Sequence, residues 1–115
     1  MSRRNRDEIV LIMWRDIPAQ VNGTLAGEKH GYILPHRFQK AIDRAAMKAG
    51  KKDAHEYVGE MRRVSYPITG TNLVECVEGI AASIDSEFTN ERLHALVDNG
   101  GWDPLSPQQQ AEEQQ

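Results

Sequence analysis

Apolar residues recur at steps of three and four between Pro35 and Gly50, and this segment constrains the fold more than any other. One stripe is formed by Phe38, Ala41, Ile42, Ala45, Ala46 and Ala49. Such a stripe is typical of a helix buried along one side, and proline is tolerated in a first helical turn. The pattern therefore predicts a helix from about Pro35 to Ala49, ended by Gly50. Its opposite side carries the basic residues Arg37, Lys40, Arg44 and Lys48.

Three segments are predicted to be β-strands. Glu8–Trp14 is a continuous apolar run with β-branched residues, which is typical of a strand buried on both faces. Gln20–Thr24 is expected to pair with it as an edge strand. Asn22-Gly23 is a turn signal, and the glycines at 23, 27 and 31 indicate a flexible hairpin loop. Val64–Ile68 is expected to be an edge strand, because Pro67 has no N–H to donate to a neighbouring strand.

Helix-start signals predict three further helices. Asp53, followed three residues later by Glu56, resembles a capping box and predicts a short helix that runs to about Arg62. A third helix is expected to begin at residue 71 or 72 and to run to about 88, with a buried apolar stripe. A fourth is expected to begin at 89 or 90 and to end at the two glycines 100 and 101.

The resulting order of elements, β-β-α-α-β-α-α, favours an α+β fold. We expect a small two- to three-stranded antiparallel sheet packed by about four helices. Residues 8–103 are expected to form a single domain, preceded by a flexible basic segment over residues 1–7. Residues 104–115 contain almost no apolar side chain, and this composition predicts a disordered tail rich in Gln and Glu.

Cysteine content and the N-terminal composition predict a cytoplasmic protein. Cys76 is the single cysteine, so no disulfide can form within the chain, which fits a reducing compartment. The basic N-terminus is followed by an apolar run of six residues, over 9–14. A secretory signal needs about 7–15 apolar residues and a membrane span about 20. Export and membrane insertion are therefore not expected.

Charge is distributed unevenly along the chain. Residues 1–63 hold 13 Lys and Arg against 8 Asp and Glu, whereas residues 64–115 hold one Arg against nine acidic residues. The two halves either face each other across the fold, or are simply solvated, or face different partners. Nucleic-acid binding by the basic helix is disfavoured by the sequence pI of about 5.8 and by the lack of interleaved aromatic residues.

No pattern of catalytic residues is recognisable. The glycines match neither a P-loop nor a dinucleotide fingerprint, and no two histidines have the spacing of a zinc site. Cys76 lies on an apolar stripe beside Glu75 and Glu78, which favours core packing over a reactive thiolate. We therefore expect no catalytic residue, no metal and no cofactor in this chain. Trp14, at the end of the first strand, is expected in the core or at a subunit interface.

Three sequence blocks resemble the small bacterial "virulence factor" family, which is named after a region of a larger virulence protein. The blocks are Trp14-Arg-Asp-Ile-Pro-Ala-Gln-Val21, then Leu34-Pro35 with Arg37-Phe38-Gln39, then Ala41-Ile-Asp-Arg-Ala-Ala-Met-Lys-Ala-Gly50. The resemblance extends over roughly Ile9 to Gly101. Free-standing members of this kind tend to be encoded among folate- and corrinoid-dependent one-carbon genes.

The resemblance implies a non-catalytic accessory or structural subunit that docks on a larger methylenetetrahydrofolate reductase-like or methyltransferase-like enzyme. The partner-binding residues would then come from the family-like blocks: Trp14, Arg15, Asp16, Gln20, Arg37, Gln39, Asp43, Arg44 and Met47. One alternative is a small folate- or anion-binding domain or enzyme, in which Arg15, Arg37 and Arg44 hold a carboxylate or phosphate. The other alternative is a nucleic-acid-binding regulator, whose binding would weaken steeply with salt.

Overall fold

The computed structural model describes residues 7–68 and 70–104, which form one antiparallel sheet and four helices. The strands are Glu8–Trp14 (β1), Ile17–Leu25 (β2), Glu28–Ile33 (β3) and Met61–Pro67 (β4). The helices are His36–Lys48 (α1), Ala54–Gly59 (α2), Leu73–Glu87 (α3) and Asn90–Asp98 (α4). The strand order is β3-β2-β1-β4, so the predicted α+β class is confirmed, with four strands instead of two or three. Of the predicted terminal segments, residues 1–6 and 105–115 lie outside the described residues.

The prediction was wrong between residues 22 and 31, where a strand replaces the expected loop. Asn22 and Gly23 lie inside β2, and the reversal of the chain falls at Ala26 and Gly27, with φ of 54° and 85°. Two left-handed residues match the twist of an antiparallel hairpin. Because β3 pairs with its outer side, β2 is an inner strand and not an edge. No residue of β3 is fully buried, so its sequence lacks the apolar alternation that reveals a strand.

The second helix is also shorter than predicted. It ends at Gly59 instead of near Arg62, because the chain from Met61 onward pairs with β1 along its whole length. This β4 strand is an edge strand, as Pro67 predicted. The starts of the helices are confirmed: the side chains of Asp53, Asn72 and Thr89 each accept a backbone N–H in the first turn of α2, α3 and α4.

One core lies between the sheet and the helices. The buried side chains of α1, α3 and α4 form a single cluster with Ile9, Ile17 and Val21 of the sheet. Helix α3 lies so close to β2 that a Cβ atom added to Gly23 would stand 2.6 Å from Cγ2 of Val77. Gly23 therefore faces the helices. Since successive strand residues point to opposite sides, its neighbours in β2 face away from the helices.

Replacing Gly23 by alanine is expected to destabilise the protein by about 1–3 kcal/mol, because the new methyl group overpacks the contact with α3. The matched control is Gly79→Ala on α3, where a Cβ atom meets nothing within 4 Å. This control should stabilise the helix by about 0.5–1 kcal/mol. Urea unfolding of both variants measures the two effects. Equal stabilities for Gly23→Ala and the unaltered protein would contradict the close packing of β2 on α3.

Candidate functional site

The structure separates the nine residues predicted to bind a partner into three places. Trp14, Arg15 and Asp16 lie at the turn between β1 and β2. Gln20 lies in β2, where its amide nitrogen donates to the side-chain oxygen of Asn22 over 2.7 Å. The other five lie on α1: Arg37, Gln39, Asp43, Arg44 and Met47.

Trp14 belongs to the core. Its side chain has 0% exposure, and its Nε1 donates to the backbone carbonyl of Tyr57 over 2.9 Å. The two rings lie 5.9 Å apart between centroids. A tryptophan whose polar tip is satisfied inside the chain has no group left for a partner. Of the two locations that the sequence left open, the core is therefore the one observed, and Trp14 does not contribute a contact surface.

Arg15 is held by aromatic and polar groups of its own chain. Its guanidinium carbon lies 5.2 Å from the ring centroid of Trp14 and 5.0 Å from that of Trp102. Nε donates to Glu60 over 3.1 Å and Nη1 donates to the Gly100 carbonyl over 2.9 Å. The backbone of Arg15 has a φ of 52°, a left-handed conformation that is unusual for a residue with a side chain. The surrounding contacts hold this conformation in place.

Asp16 completes the same arrangement. One carboxylate oxygen accepts from Arg62 over 2.8 Å, and the other accepts from the backbone N–H of Asp103 over 2.8 Å. Arg62 in turn donates through Nε to the carbonyl of Arg15. We call this arrangement of Arg15, Asp16, Glu60, Arg62 and the segment 100–103 the turn clamp. It ties the β1–β2 turn to the start of β4 and to the chain that follows α4.

Sequence reasoning missed three members of the turn clamp: Glu60, Arg62 and Trp102. The one available signal was Trp102, a large aromatic residue directly after two glycines and before a polar tail. An isolated tryptophan in such a segment indicates that the segment packs on the domain. In the structure it is 7% exposed and covers Arg15. No spacing rule connects Glu60 or Arg62 to residues 15 and 16, which are about 45 positions away.

The pKa of Glu60 departs from its ordinary value because of its neighbours in the fold. Partial burial alone would raise the pKa of its carboxyl group, but the hydrogen bonds and charges of Arg15 and Lys51 together outweigh burial. Lys51, with Nζ 3.5 Å from the other carboxylate oxygen, adds to the effect. The pKa of Glu60 therefore lies below its ordinary value of 4.5. This lowering is an electrostatic signature of the turn clamp.

The third of these places is the exposed side of α1. Gln39, Asp43 and Met47 follow each other at steps of four, so they form one row along the helix. The amide of Gln39 donates to Asp43 over 2.8 Å and to the Tyr57 hydroxyl over 3.0 Å. Met47 is 68% exposed at the end of the row. We call the exposed residues Gln39, Lys40, Asp43, Arg44 and Met47 the α1 ridge.

Arg37 and Arg44 have different environments on the same helix. Arg37 donates to the Asp85 carboxylate over 2.7 Å and to the Asn90 side chain over 3.0 Å. Arg44 lines a cleft of about 160 Å³ between α1 and α4, together with His94. Because Arg15 and Arg37 already bind carboxylates of the chain, the three arginines of the anion-binding alternative do not form a shared open cluster.

The basic half of the chain meets the acidic half across the fold. Arg37 pairs with Asp85 over 2.7 Å, and Lys48 lies 3.9 Å from Asp98. About two turns earlier on α3, Glu78 contacts His30 over 3.2 Å. Within residues 7–68 and 70–104, Lys40 and Arg44 have no ion pair. Positive charge therefore remains uncompensated on the α1 ridge.

Across the described part of the chain, no group of three or more His, Cys, Asp or Glu is arranged to hold a metal ion. None of the helices over that part combines the length and apolar character needed to cross a membrane. Cys76 is half-buried on α3, where it packs against the core cluster.

Fold and site together define a small α+β domain with the turn clamp at its β1–β2 turn and the exposed α1 ridge on its first helix. The family model described as "Virulence factor" matches residues 12–97, which is most of the chain. The chain therefore belongs to the virulence factor family, and the resemblance noted in its sequence blocks is confirmed. No curated protein and no solved structure matches the chain significantly.

Replacing Glu60 by glutamine is expected to cost about 1 kcal/mol of stability at neutral pH, because the ion pair with Arg15 is lost. A carboxyl group whose pKa is lowered by folding stabilises the folded state above its unfolded pKa. That contribution disappears as the pH falls through the lower, folded value. The difference between the variant and the unaltered protein should therefore shrink as the pH drops below 4.5.

Urea unfolding between neutral and acidic pH measures this dependence. The control is Glu87→Gln, because Glu87 is exposed and its carboxylate forms no ion pair within the described residues. That control should change stability by less than about 0.5 kcal/mol at either pH. A loss for Glu60→Gln that stays constant down to acidic pH would contradict the electrostatic role of Glu60.

Proposed function

We propose that this domain is a non-catalytic accessory subunit that docks on a larger enzyme through the α1 ridge. The observation that carries the proposal is the 68% exposure of Met47 on a helix that belongs to the family-like blocks. The other exposed residues of the ridge are polar or charged, so Met47 is an exposed apolar side chain at the end of a polar row. This is the composition of protein–protein interfaces, where methionine is enriched.

The ridge is also partly organised before any partner binds. The hydrogen bonds from Gln39 to Asp43 and to Tyr57 restrict two side chains that would otherwise lose rotamer freedom on binding. Helix α1 itself is anchored by Phe38 and Ile42, each 1% exposed. A rigid surface reduces the entropic cost of association.

The charge of the ridge indicates the character of the partner surface. Lys40 and Arg44 supply uncompensated positive charge beside Met47, and an acidic surface would complement it. We propose a cytoplasmic methylenetetrahydrofolate reductase-like or methyltransferase-like enzyme as the partner, since the family resemblance implies a role in folate- or corrinoid-dependent one-carbon metabolism. In this proposal the larger enzyme holds the cofactor, and the domain described here contributes binding only.

The test is binding of the purified domain to such enzymes at near-physiological salt. Met47→Asp is expected to weaken the complex at least about tenfold, because a charge would replace the exposed apolar side chain of the ridge. Arg44→Glu is expected to weaken it as well, and mainly by slowing association. The matched controls are Val74→Asp on α3, where Val74 is 45% exposed, and Lys52→Glu outside the ridge.

Both controls should bind as the unaltered protein does. Recovery of the domain alone and as a monomer, with every candidate enzyme, would overturn the accessory-subunit proposal. Equal loss of binding in Val74→Asp and Met47→Asp would show that the α1 ridge is not the docking surface.

A further inference from the structure

The sheet has a second face that no helix of the core covers, and we call it the open sheet face. Gly23 points toward α3, so Asn22 and Thr24 point the opposite way. Residues paired directly across antiparallel strands share a face. The pairs Asn22 with Gly31 and Thr24 with Lys29 extend the open sheet face onto β3. On β1, Val10 pairs with Asn22 and belongs to the same face.

A depression of about 440 Å³ lies on the open sheet face. Its lining includes Val10, Asn22, Thr24, Lys29, Gly31 and Arg63. Val10 is 5% exposed and forms an apolar floor, while the walls are polar or charged. This volume lies within the range of small-molecule sites, and so does the combination of an apolar floor with a few polar groups.

Gly31 keeps the depression open. No positive φ requires a glycine at this position, so the backbone conformation does not explain it. A Cβ atom here would stand 2.8 Å from Oδ1 of Asn22 and 3.4 Å from Nε2 of Gln20. A glycine inside a strand often marks a place where another group approaches the backbone closely. The absence of a side chain at Gly31 therefore contributes to the shape of the depression.

Asn22 lines the depression and can donate hydrogen bonds to a ligand there. Its side-chain oxygen already accepts from Gln20 over 2.7 Å, so the amide N–H groups remain to be used. Thr24 adds a hydroxyl group to the same wall. Gln20, which was predicted to bind a partner, thus serves to position Asn22.

The charges come from the two opposite edges of the sheet. Lys29 lies on β3 and Arg63 on β4, and neither has an ion pair within the stretches 7–68 and 70–104. The strands themselves are about 14 Å apart across the sheet, at about 4.8 Å per strand. The two residues are also offset along the sheet, because Lys29 aligns with Glu8 through Thr24, whereas Arg63 pairs with Ile12. At about 3.3 Å per residue, their backbones are therefore about 20 Å apart. Glu8 also lines the depression, so two cations stand against one carboxylate. A ligand that engages both cations has to span the space between these two side chains.

We propose that the open sheet face binds a small, elongated organic dianion with an oxyanion group at each end. One oxyanion binds Lys29 beside Asn22 and Thr24, and the other binds the Arg63 guanidinium, while the connecting chain lies over Val10. This ligand site lies on the side of the sheet opposite α1. It is independent of the α1 ridge, so either proposal can fail without the other.

The test uses the full chain labelled with ¹⁵N and titrated with glutarate, a dicarboxylate, while amide chemical shifts are recorded. Saturable shifts are expected at the amides of Asn22, Thr24, Lys29, Gly31 and Arg63, and not at those of the α1 ridge. Butyrate, which has one carboxylate, should bind about tenfold more weakly, because it cannot engage both cations. Pyrophosphate tests whether phosphate serves as well as carboxylate at the same amides.

Lys29→Gln and Arg63→Gln should each weaken glutarate binding about tenfold, whereas the control Lys40→Gln removes the same charge from the α1 ridge and should leave it unchanged. Gly31→Ala should also weaken binding while the spectrum keeps its folded dispersion. If that variant does not fold, Lys29→Gln and Arg63→Gln still test the proposal. The proposal is overturned if neither dianion gives saturable shifts, if butyrate binds as well as glutarate, or if Lys40→Gln weakens binding equally.

Discussion

The contact of the Arg15 guanidinium with the rings of Trp14 and Trp102 is the interaction on which the rest of the structure depends. A charge held against two aromatic rings is stable only if its N–H groups find acceptors. Glu60 and the Gly100 carbonyl supply them, and they come from the end of α2 and from the chain after α4. One side chain thus joins three segments that are distant in sequence and fixes the direction in which each continues.

This arrangement changes the interpretation of the family-like blocks. The block around Trp14 looks like a contact surface in sequence, because it combines an aromatic residue with two charges. In the structure Trp14 is buried and Asp16 is occupied by Arg62 and Asp103, so the block stabilises the fold. The α1 block has its charged and apolar residues on the exposed side of a helix. Similar residue types therefore have different roles, and burial distinguishes them.

The parts of the fold that could be predicted are those whose signal is local. Helices α1, α3 and α4 follow from apolar stripes, and α3 and α4 also from the capping residues at their starts. Strand β3 could not be predicted, because it forms through pairing with β2 and buries no side chain fully. The location of Trp14 stayed open for a related reason: Tyr57 lies 43 residues away, and no spacing rule brings them together. The anion-binding alternative grouped Arg15, Arg37 and Arg44 from the sequence. In the structure, Arg15 and Arg37 pair with separate carboxylates, Glu60 and Asp85.

The distribution of charge accounts for two separate basic surfaces on a chain whose net charge is −3. Arg37 and Lys48 of α1 pair with Asp85 of α3 and Asp98 of α4, so part of the negative charge of the acidic half is paired within the fold. The cations left over lie on the α1 ridge and on the open sheet face. Tyr32 and Tyr66 pair with Val21 and Ile9, whose side chains face the core, so these tyrosines lie on the opposite side of the sheet from Lys29 and Arg63. Since binding of single-stranded nucleic acid relies on bases stacking on aromatic rings, this separation of aromatic from basic residues favours small anions and acidic protein surfaces as ligands.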